Sequence, residues 1–246
     1  MCKGWFKKKP HVMVPGFTDN TIVHFAIGDF PGTVNDLNGP PNDQEDFEKR
    51  LLAGWPHYTF RKYKDSEGTV DAFRANVKSI VARMKPEDTL LFVMDVCHAG
   101  TNTRGFITNK MVWSSECMNY IAMSAARPFE TAADAVLNGR PNGAYHYCLI
   151  KTLEKGITYR EWDAKAQTLL LKLGFTHVCT IEGPDRLLDR MVFEGPTYAV
   201  IVSSHGMRRP DRNEDEEDGY DECVVFYDKD ICDDEIAEML KNIPIN

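Results

Sequence analysis

The chain has 246 residues, of which 43% are hydrophobic, and it can therefore form one large domain or two small ones. Its formal net charge of −8 at pH 7 argues against a general nucleic-acid binder, because such proteins are usually basic. No run approaches about 18 consecutive apolar residues, so the sequence predicts no membrane-spanning helix and no membrane partner.

Seven cysteines are scattered along the chain, an odd number without a C-x-x-C pair. The opening "MCKGWFKKKPHVMVPG" lacks the long apolar segment of a signal peptide. We therefore expect free thiols and a reducing, cytoplasmic location. The basic start is predicted to be a solvated tail over residues 1–20, followed by a single domain over residues 21–246.

Short buried strands alternate with amphipathic helices along the chain. The predicted strands cover residues 21–30, 57–65, 88–101, 119–127 and 197–206. The predicted helices cover residues 41–54, 69–85, 143–156, 158–174 and 233–244. This alternation is typical of an α/β protein, and we expect a three-layer α/β/α sandwich with a mostly parallel sheet.

Local residue types predict how several of these elements begin and where loops lie. Thr69 is the predicted N-cap of the second helix, and Asn42 or Asp43 that of the first. Residues 175–196 are predicted to be irregular, and the acidic stretch 211–222 to be a solvated loop.

Two of the buried strands end in reactive side chains. Cys97 follows "LLFVMDV", and His205 follows "VIVSS". Functional residues of open α/β sheets gather at the carboxyl ends of strands, so a thiol and an imidazole there would act as a nucleophile and its base. The imidazole would hold the thiol as thiolate and protonate a leaving amine, while backbone N–H groups of Cys97 and Gly206 would bind an oxyanion.

Other interpretations of the same residues were weighed. A buried core cysteine and a hydrogen-bonded histidine are the structural alternative, and neither residue alone excludes it. A nucleotide-binding domain has weak support because "FAIGDFPG" lacks the G-x-G-x-x-G pattern. A zinc site is also weakly supported, since "YHYC" at 145–148 and "HVC" at 177–179 lack structural zinc spacing. No organic cofactor is predicted.

The motifs around the two reactive residues resemble those of the metacaspase and orthocaspase family of caspase-like cysteine peptidases. "DVCHAGT" is similar to that family's nucleophile motif, and "SSHG" with the downstream "DGYDE" is similar to its histidine motif. "IAMSAARPFETAADAV" and "GAYHYCLIKTL" resemble segments that follow the cysteine. The resemblance covers roughly residues 21–246 and implies a caspase-like endopeptidase with a catalytic pair of Cys97 and His205.

The order of the motifs differs from that family, in which the histidine strand precedes the cysteine strand. Here the histidine strand and the acidic loop occupy residues 197–246. We expect a permuted strand order in which this strand docks beside the cysteine strand of its own chain. The 22 residues at 175–196, at up to ~3.3 Å each, can cross several strands about 4.8 Å apart. The alternative is a swapped dimer, and we favour the monomer.

The resemblance also implies a substrate class. Family members cleave after Arg or Lys, and the matching pocket residues are Asp43, Asp95 and Ser203. The expected partners are proteins or peptides with Arg or Lys at the cleavage position. A catalytically inactive scaffold with the same fold is the alternative.

Calcium and self-cleavage are further implications of the resemblance. The positions that match calcium ligands are Asp221, Asp233 and Asp234, whereas the fourth ligand position is occupied by the cation Arg104. From their place in predicted loops, the candidate self-cleavage sites are Arg104, Lys110 and Arg140.

Overall fold

The computed structural model describes residues 18–99, 119–211, 219–241 and 243–244. In chain order, the elements are β1 (Thr21–Ala26), α1 (Pro40–Gly54), β2 (Thr59–Lys64), a 3₁₀ turn (Asp65–Glu67), α2 (Val70–Val81), β3 (Thr89–Asp95), β4 (Ile121–Ser124), β5 (Asp134–Leu137), β6 (Arg140–Gly143), α3 (Ala144–Thr152), α4 (Tyr159–Lys172), β7 (Thr180–Glu182), α5 (Asp185–Leu188), β8 (Thr197–Ser203), β9 (Gly206–Pro210), β10 (Tyr220–Val225), β11 (Asp230–Cys232) and α6 (Asp233–Leu240).

A six-stranded sheet organises the protein, with the strand order β2-β1-β8-β3-β4-β7. The first five strands in this order run parallel, and β7 pairs antiparallel with β4 at the edge. The strand β8, near the end of the chain, lies between β1 and β3 of the same chain. Strands β1, β3 and β8 are buried along their whole length, which explains their continuous apolar sequences.

Helices flank the sheet because alternate strand residues enter two separate hydrophobic clusters. One cluster joins Ile22, Val93 and Ile201 to apolar residues of α1, α3 and α4. The other joins Phe25 and Phe92 to apolar residues of α2 and α6. The period of two along each buried strand therefore divides the core between the two faces. Within the described residues, no helix is both long enough and apolar enough to cross a membrane.

Helix starts follow local chemistry in some places and not in others. The side chain of Thr69 accepts a hydrogen bond from the Ala72 amide, so the predicted N-cap of α2 is confirmed. The prediction for α1 is wrong, because α1 starts at Pro40 with Gly39 as its N-cap and no side-chain cap. Proline fits the first helical position because its missing N–H has no intrahelical partner there.

A second, three-stranded antiparallel sheet has the order β11-β10-β9. It occupies part of the stretch predicted to be an acidic loop, since β10 begins at Tyr220. Residues 175–196 also hold more structure than predicted, namely β7 and the short helix α5. Between β4 and α3, β5 and β6 form a two-stranded hairpin that was not predicted.

Candidate active site

The two reactive residues come together because their strands are neighbours. Strands β3 and β8 pair in parallel, with Asp95 opposite Ser203, so Cys97 and His205 each lie two residues beyond that pair. Gly206 lies against Cys97 so closely that a Cβ at position 206 would be 1.7 Å from the Cys97 carbonyl oxygen. The absence of a side chain at Gly206 is therefore what lets the two strand ends meet.

A cavity of about 120 Å³ opens at this edge of the sheet. Its walls include both reactive residues and all the residues matched to a substrate pocket, and the lining consists of Leu37, Pro40, Asp43, Asp95, Cys97, Ala132, Ala133, Asp134, Gly143, Ser203, Ser204 and His205. Among the described residues, the lining contains three carboxylates and no Lys or Arg. Such a cavity suits a cation placed beside a thiol.

His205 is held by three contacts, two from the loop between β1 and α1 and one from β10. Its Nε2 lies 2.5 Å from the carbonyl oxygen of Asn35, and its ring centroid is 4.6 Å from that of Phe30. The Val225 amide donates a hydrogen bond of 2.9 Å to the His205 carbonyl. Because a carbonyl oxygen only accepts, Nε2 carries the proton, and Nδ1 is left as the proton acceptor of the ring.

Cys97 is half-buried, and its Sγ lies 3.7 Å from the Ala132 carbonyl oxygen. Burial raises the pKa of the Cys97 thiol and the charge of Asp95 raises it further, while the backbone of Gly206 and of Cys97 itself lowers it. Among the described residues, no hydrogen bond joins Sγ to the imidazole of His205. The expected contact between thiolate and imidazole is therefore not among the described hydrogen bonds, and burial favours the neutral form of the thiol.

The backbone next to Cys97 adopts an uncommon conformation. The residue after it, His98, has a φ of 56°, a left-handed conformation that is uncommon for a residue with a side chain. Its amide donates to the Glu130 carbonyl at 2.9 Å, and its Nδ1 lies 2.7 Å from the Pro128 carbonyl oxygen. These two contacts hold the turn in which the thiol lies.

Two buried carboxylates form the floor of the cavity. Asn142 Nδ2 and the Gly143 amide donate to Asp43 at 2.9 and 3.0 Å, so Asp43 is fixed by β6 and is not a helix cap. A Cβ on Gly143 would lie 2.1 Å from Asp95 Oδ2 and 3.1 Å from Asp43 Oδ2, which places both carboxylates against this glycine. Asp95 Oδ2 is buried and has no hydrogen-bond partner.

The environment of this pair disfavours two negative charges. Burial raises the pKa of Asp95 to about 7. A backbone hydrogen bond from His146 lowers this pKa, and the charge of Asp134 raises it. Burial and the charge of Asp95 also raise the pKa of Asp43 well above its usual range. A cation that entered the cavity would favour the ionised forms of both carboxyl groups.

Two buried histidines lie behind the acidic pair. The rings of His24 and His146 are 5.2 Å apart, and His146 Nδ1 is 4.0 Å from Asp95 Oδ2. Burial lowers the pKa of His146 to about 3, so this imidazole is neutral and does not neutralise Asp95. The place of His146 behind the cavity could not be predicted from the sequence, because it depends on how α3 packs against the large sheet.

Three more residues at the site were not predicted. Asn35 contributes only its backbone carbonyl, and Asp134 lies exposed on β5 with Oδ2 3.2 Å from the Gly39 amide. The Ser204 hydroxyl donates a hydrogen bond to the Val225 carbonyl, and Ser204 also lines the cavity. Asp134 belongs to the segment "TAADAV", whose acidic residue could have been examined as a pocket residue.

The other predicted site residues have different outcomes. Arg104 and Lys110 lie outside the described residues. Arg140 is not in a loop, because it begins β6 and pairs with Asp46 at 2.9 Å and with Glu45 at 2.5 Å. Its predicted place in a loop is wrong, since the hairpin and both ion pairs hold this arginine.

The three predicted calcium ligands lie on the small sheet and the helix that follows it. Asp221 is in β10, and Asp233 and Asp234 begin α6. In the part of the chain that the structure describes, the group with ligand atoms within 4.8 Å of one another is a different set, Cys223, Asp230 and Cys232, and its two sulfurs are joined in a disulfide. Calcium binding by the three aspartates stays a prediction.

The expectation of free thiols is wrong for one pair of cysteines. Cys223 and Cys232 lie opposite each other on β10 and β11 and form a disulfide. Cys97, Cys148 and Cys179 are free. The two cysteines are nine residues apart, and their pairing was not expected because the hairpin that joins β10 and β11 was not predicted.

No protein-family model matches this chain, and no curated protein matches it either.

Proposed function

We propose that the protein is a cysteine endopeptidase that cleaves after Arg or Lys. The observation that carries the proposal is the convergence of Cys97, His205 and the buried pair Asp43 and Asp95 on one cavity. A nucleophile, a base with an orienting carbonyl and a carboxylate pair for a cation are the parts that such a reaction needs. The fold we propose is a three-layer, caspase-like sandwich with its histidine strand permuted to the C-terminal end.

Substrate binding begins with the basic side chain. The guanidinium or ammonium group enters the cavity and pairs with Asp95 and Asp43, while the hydroxyl of Ser203 lies in the same wall. Arg is suited to such a site because its planar fork can bind both carboxylates at once. Ionisation of the pair on binding releases a proton at neutral pH, since the pKa of Asp95 in the free protein is about 7.

The first chemical step transfers the thiol proton of Cys97 to Nδ1 of His205. The Asn35 carbonyl stabilises the imidazolium that forms, because it accepts the proton on Nε2. Sγ then attacks the scissile carbonyl carbon, and the C=O electron pair moves to oxygen. The amides of Gly206 and Cys97 would bind that oxyanion.

Collapse of the tetrahedral intermediate breaks the C–N bond. His205 donates its extra proton to the leaving amine, and the acyl group remains on Sγ as a thioester. Water then attacks the thioester with His205 as base, which releases the carboxylate product and restores the thiol. Because Sγ and the imidazole are not hydrogen-bonded in the free protein, bound substrate must bring them into contact.

A second candidate function is supported by the same resting geometry. A neutral thiol with a raised pKa that does not contact its base also fits an inactive scaffold that binds basic peptides through Asp43 and Asp95. Peptide hydrolysis distinguishes the two functions, because only the peptidase turns its substrate over. Calcium modulation and self-cleavage remain predictions of the resemblance.

The test is hydrolysis of matched fluorogenic peptides that end in Arg, Lys, Gln or Asp. The wild type should cleave only the Arg and Lys peptides, and Cys97→Ala and His205→Ala should not cleave them. Cys148→Ala, which removes a buried free thiol away from the cavity, is the matched control and should keep full activity. Tight binding of the Arg peptide without turnover would favour the scaffold, and cleavage by Cys97→Ala would refute both the nucleophile and the mechanism.

A further inference from the structure

We infer that the Cys223–Cys232 disulfide is a thiol–disulfide exchange site that controls how firmly the small sheet holds His205. The inference starts from geometry that the proposed mechanism does not use. Strand β10 carries Cys223 and also the residues that contact the histidine turn. Strand β11 carries Cys232 and continues directly into α6.

The disulfide lies beside the contacts that position His205. Cys223 is two residues before Val225, whose amide donates to the His205 carbonyl at 2.9 Å and whose carbonyl accepts from the Ser204 hydroxyl. Val224 pairs with Gly206 in the ladder between β10 and β9. The strand that carries one half of the disulfide therefore also holds the residues on both sides of the imidazole.

The other half of the disulfide is anchored in the core. Cys232 is the N-cap of α6, where Ile236 is fully buried and Glu235 forms a 2.6 Å ion pair with Arg74 of α2. The bond thus joins a short hairpin strand to a helix that is packed against the large sheet. Without it, β11 retains only three residue pairs with β10.

The two sulfurs differ in exposure, which sets the direction of exchange. Cys223 is 1% exposed, whereas Cys232 is half-buried. A thiolate of an external dithiol would attack Cys232 Sγ, the S–S bond would break, and Cys223 would leave as a thiolate and take up a proton. The second thiol of the reductant would then displace Cys232, so the protein gains two electrons and the reductant becomes a disulfide.

The consequence of reduction is local opening of β10. A cross-link between residues nine apart restricts the open state of the loop that it closes, and its loss should raise the population of that state by roughly 10- to 100-fold. An open β10 releases the hydrogen bond to the His205 carbonyl. For peptide hydrolysis the inference rests on the proposed function, whereas its structural part does not.

The structural part is tested by hydrogen exchange followed by mass spectrometry, with and without dithiothreitol. Alkylation of the non-reduced protein should leave Cys223 and Cys232 unmodified, and dithiothreitol should expose both. After reduction, amides in residues 220–225 and 205–206 should exchange about 10-fold faster or more, and those of β1 should not change. The double variant Cys223→Ala/Cys232→Ala should exchange rapidly in both conditions, and Cys148→Ala should respond as the wild type does.

Two results would overturn the inference: free thiols at Cys223 and Cys232 in the non-reduced protein, or equal exchange of residues 220–225 in both states. If the double variant does not fold, reduction of the wild type still gives this comparison. Peptidase activity is measured separately without dithiothreitol, on the wild type and on the double variant, with the free Cys97 thiol of each counted by alkylation. Activity of the double variant below that of the wild type supports the inference, equal activity contradicts an effect of the disulfide on hydrolysis, and absence of activity in both forms refutes only the peptidase.

Discussion

Replacing Asp95 with Asn tests the electrostatics of the buried acidic pair. The change keeps the shape of the side chain and removes its charge. An acid whose pKa is higher in the folded than in the unfolded state binds more protons when folded, so stability falls as pH rises between the two values. For Asp95, that interval runs from its usual 3.8 to about 7 and corresponds to roughly 4 kcal/mol at about 1.4 kcal/mol per pH unit.

The assay is urea unfolding at pH 4 to 8, monitored by tryptophan fluorescence. It compares Cys97→Ala, the parent, with the double variant Cys97→Ala/Asp95→Asn. The unfolding free energy of Asp95→Asn, relative to its parent, should rise by about 4 kcal/mol as pH increases from about 4 to about 7. Above about pH 7 this difference should stay constant. Glu67→Gln is the control, because Glu67 is an exposed carboxylate that does not line the cavity. A stability difference for Asp95→Asn that does not change with pH would refute the argument.

Three other substitutions test separate parts of the account. Gly206→Ala would place a Cβ 1.7 Å from the Cys97 carbonyl oxygen, so kcat/KM should fall about 100-fold or more, whereas Gly54→Ala, with its nearest atom at 3.9 Å, should change little. Unchanged kinetics for Gly206→Ala would contradict the close approach of the strand ends. Asp43→Asn removes one partner of the bound cation and should weaken kcat/KM for Arg peptides about 30-fold or more, measured against the parent at pH 7.5; equal values would exclude Asp43 from the pocket. Thr158→Ala removes the capping box of α4 and should lower the unfolding free energy by about 1 kcal/mol with no effect on kcat/KM, and unchanged stability would contradict the capping role.

The large sheet could be predicted because its strands are buried on both faces. A strand such as β8, buried at every residue, must be apolar throughout, and this pattern is visible in the sequence alone. The predicted pairing of β3 with β8 is present, and the parallel register then brings Cys97 and His205 to the same edge. That part of the site follows from where the strands end.

The short hairpins could not be predicted from burial. Strands β5 and β6 are half-exposed, and Pro141 interrupts the pattern of β6. The turn between them, Asn138-Gly139, has positive φ at both residues, and Asn-Gly is a recognised hairpin sequence. Strand β11 has only three residues, and the surrounding acidic sequence resembles a solvated loop.

Other features of the site could not be predicted from the sequence. The contact to His205 comes from the backbone carbonyl of Asn35, so the identity of that side chain gives no indication of it. The burial of Asp95 and His146 depends on how α3 packs against the large sheet. The sequence supplied Asp43 and Asp95 through resemblance, but their shared contact with Gly143 and their raised pKa values required the structure.

The most direct test of the central claim is covalent labelling with a peptidyl acyloxymethyl ketone that carries Arg next to the reactive group. The account predicts one adduct, located by mass spectrometry on Cys97, that forms far more slowly in His205→Ala and with the matched Asp compound. Labelling of Cys148 or Cys179 instead, or equal labelling by the Arg and Asp compounds, would contradict a cleft in which Cys97, His205 and the two carboxylates act together.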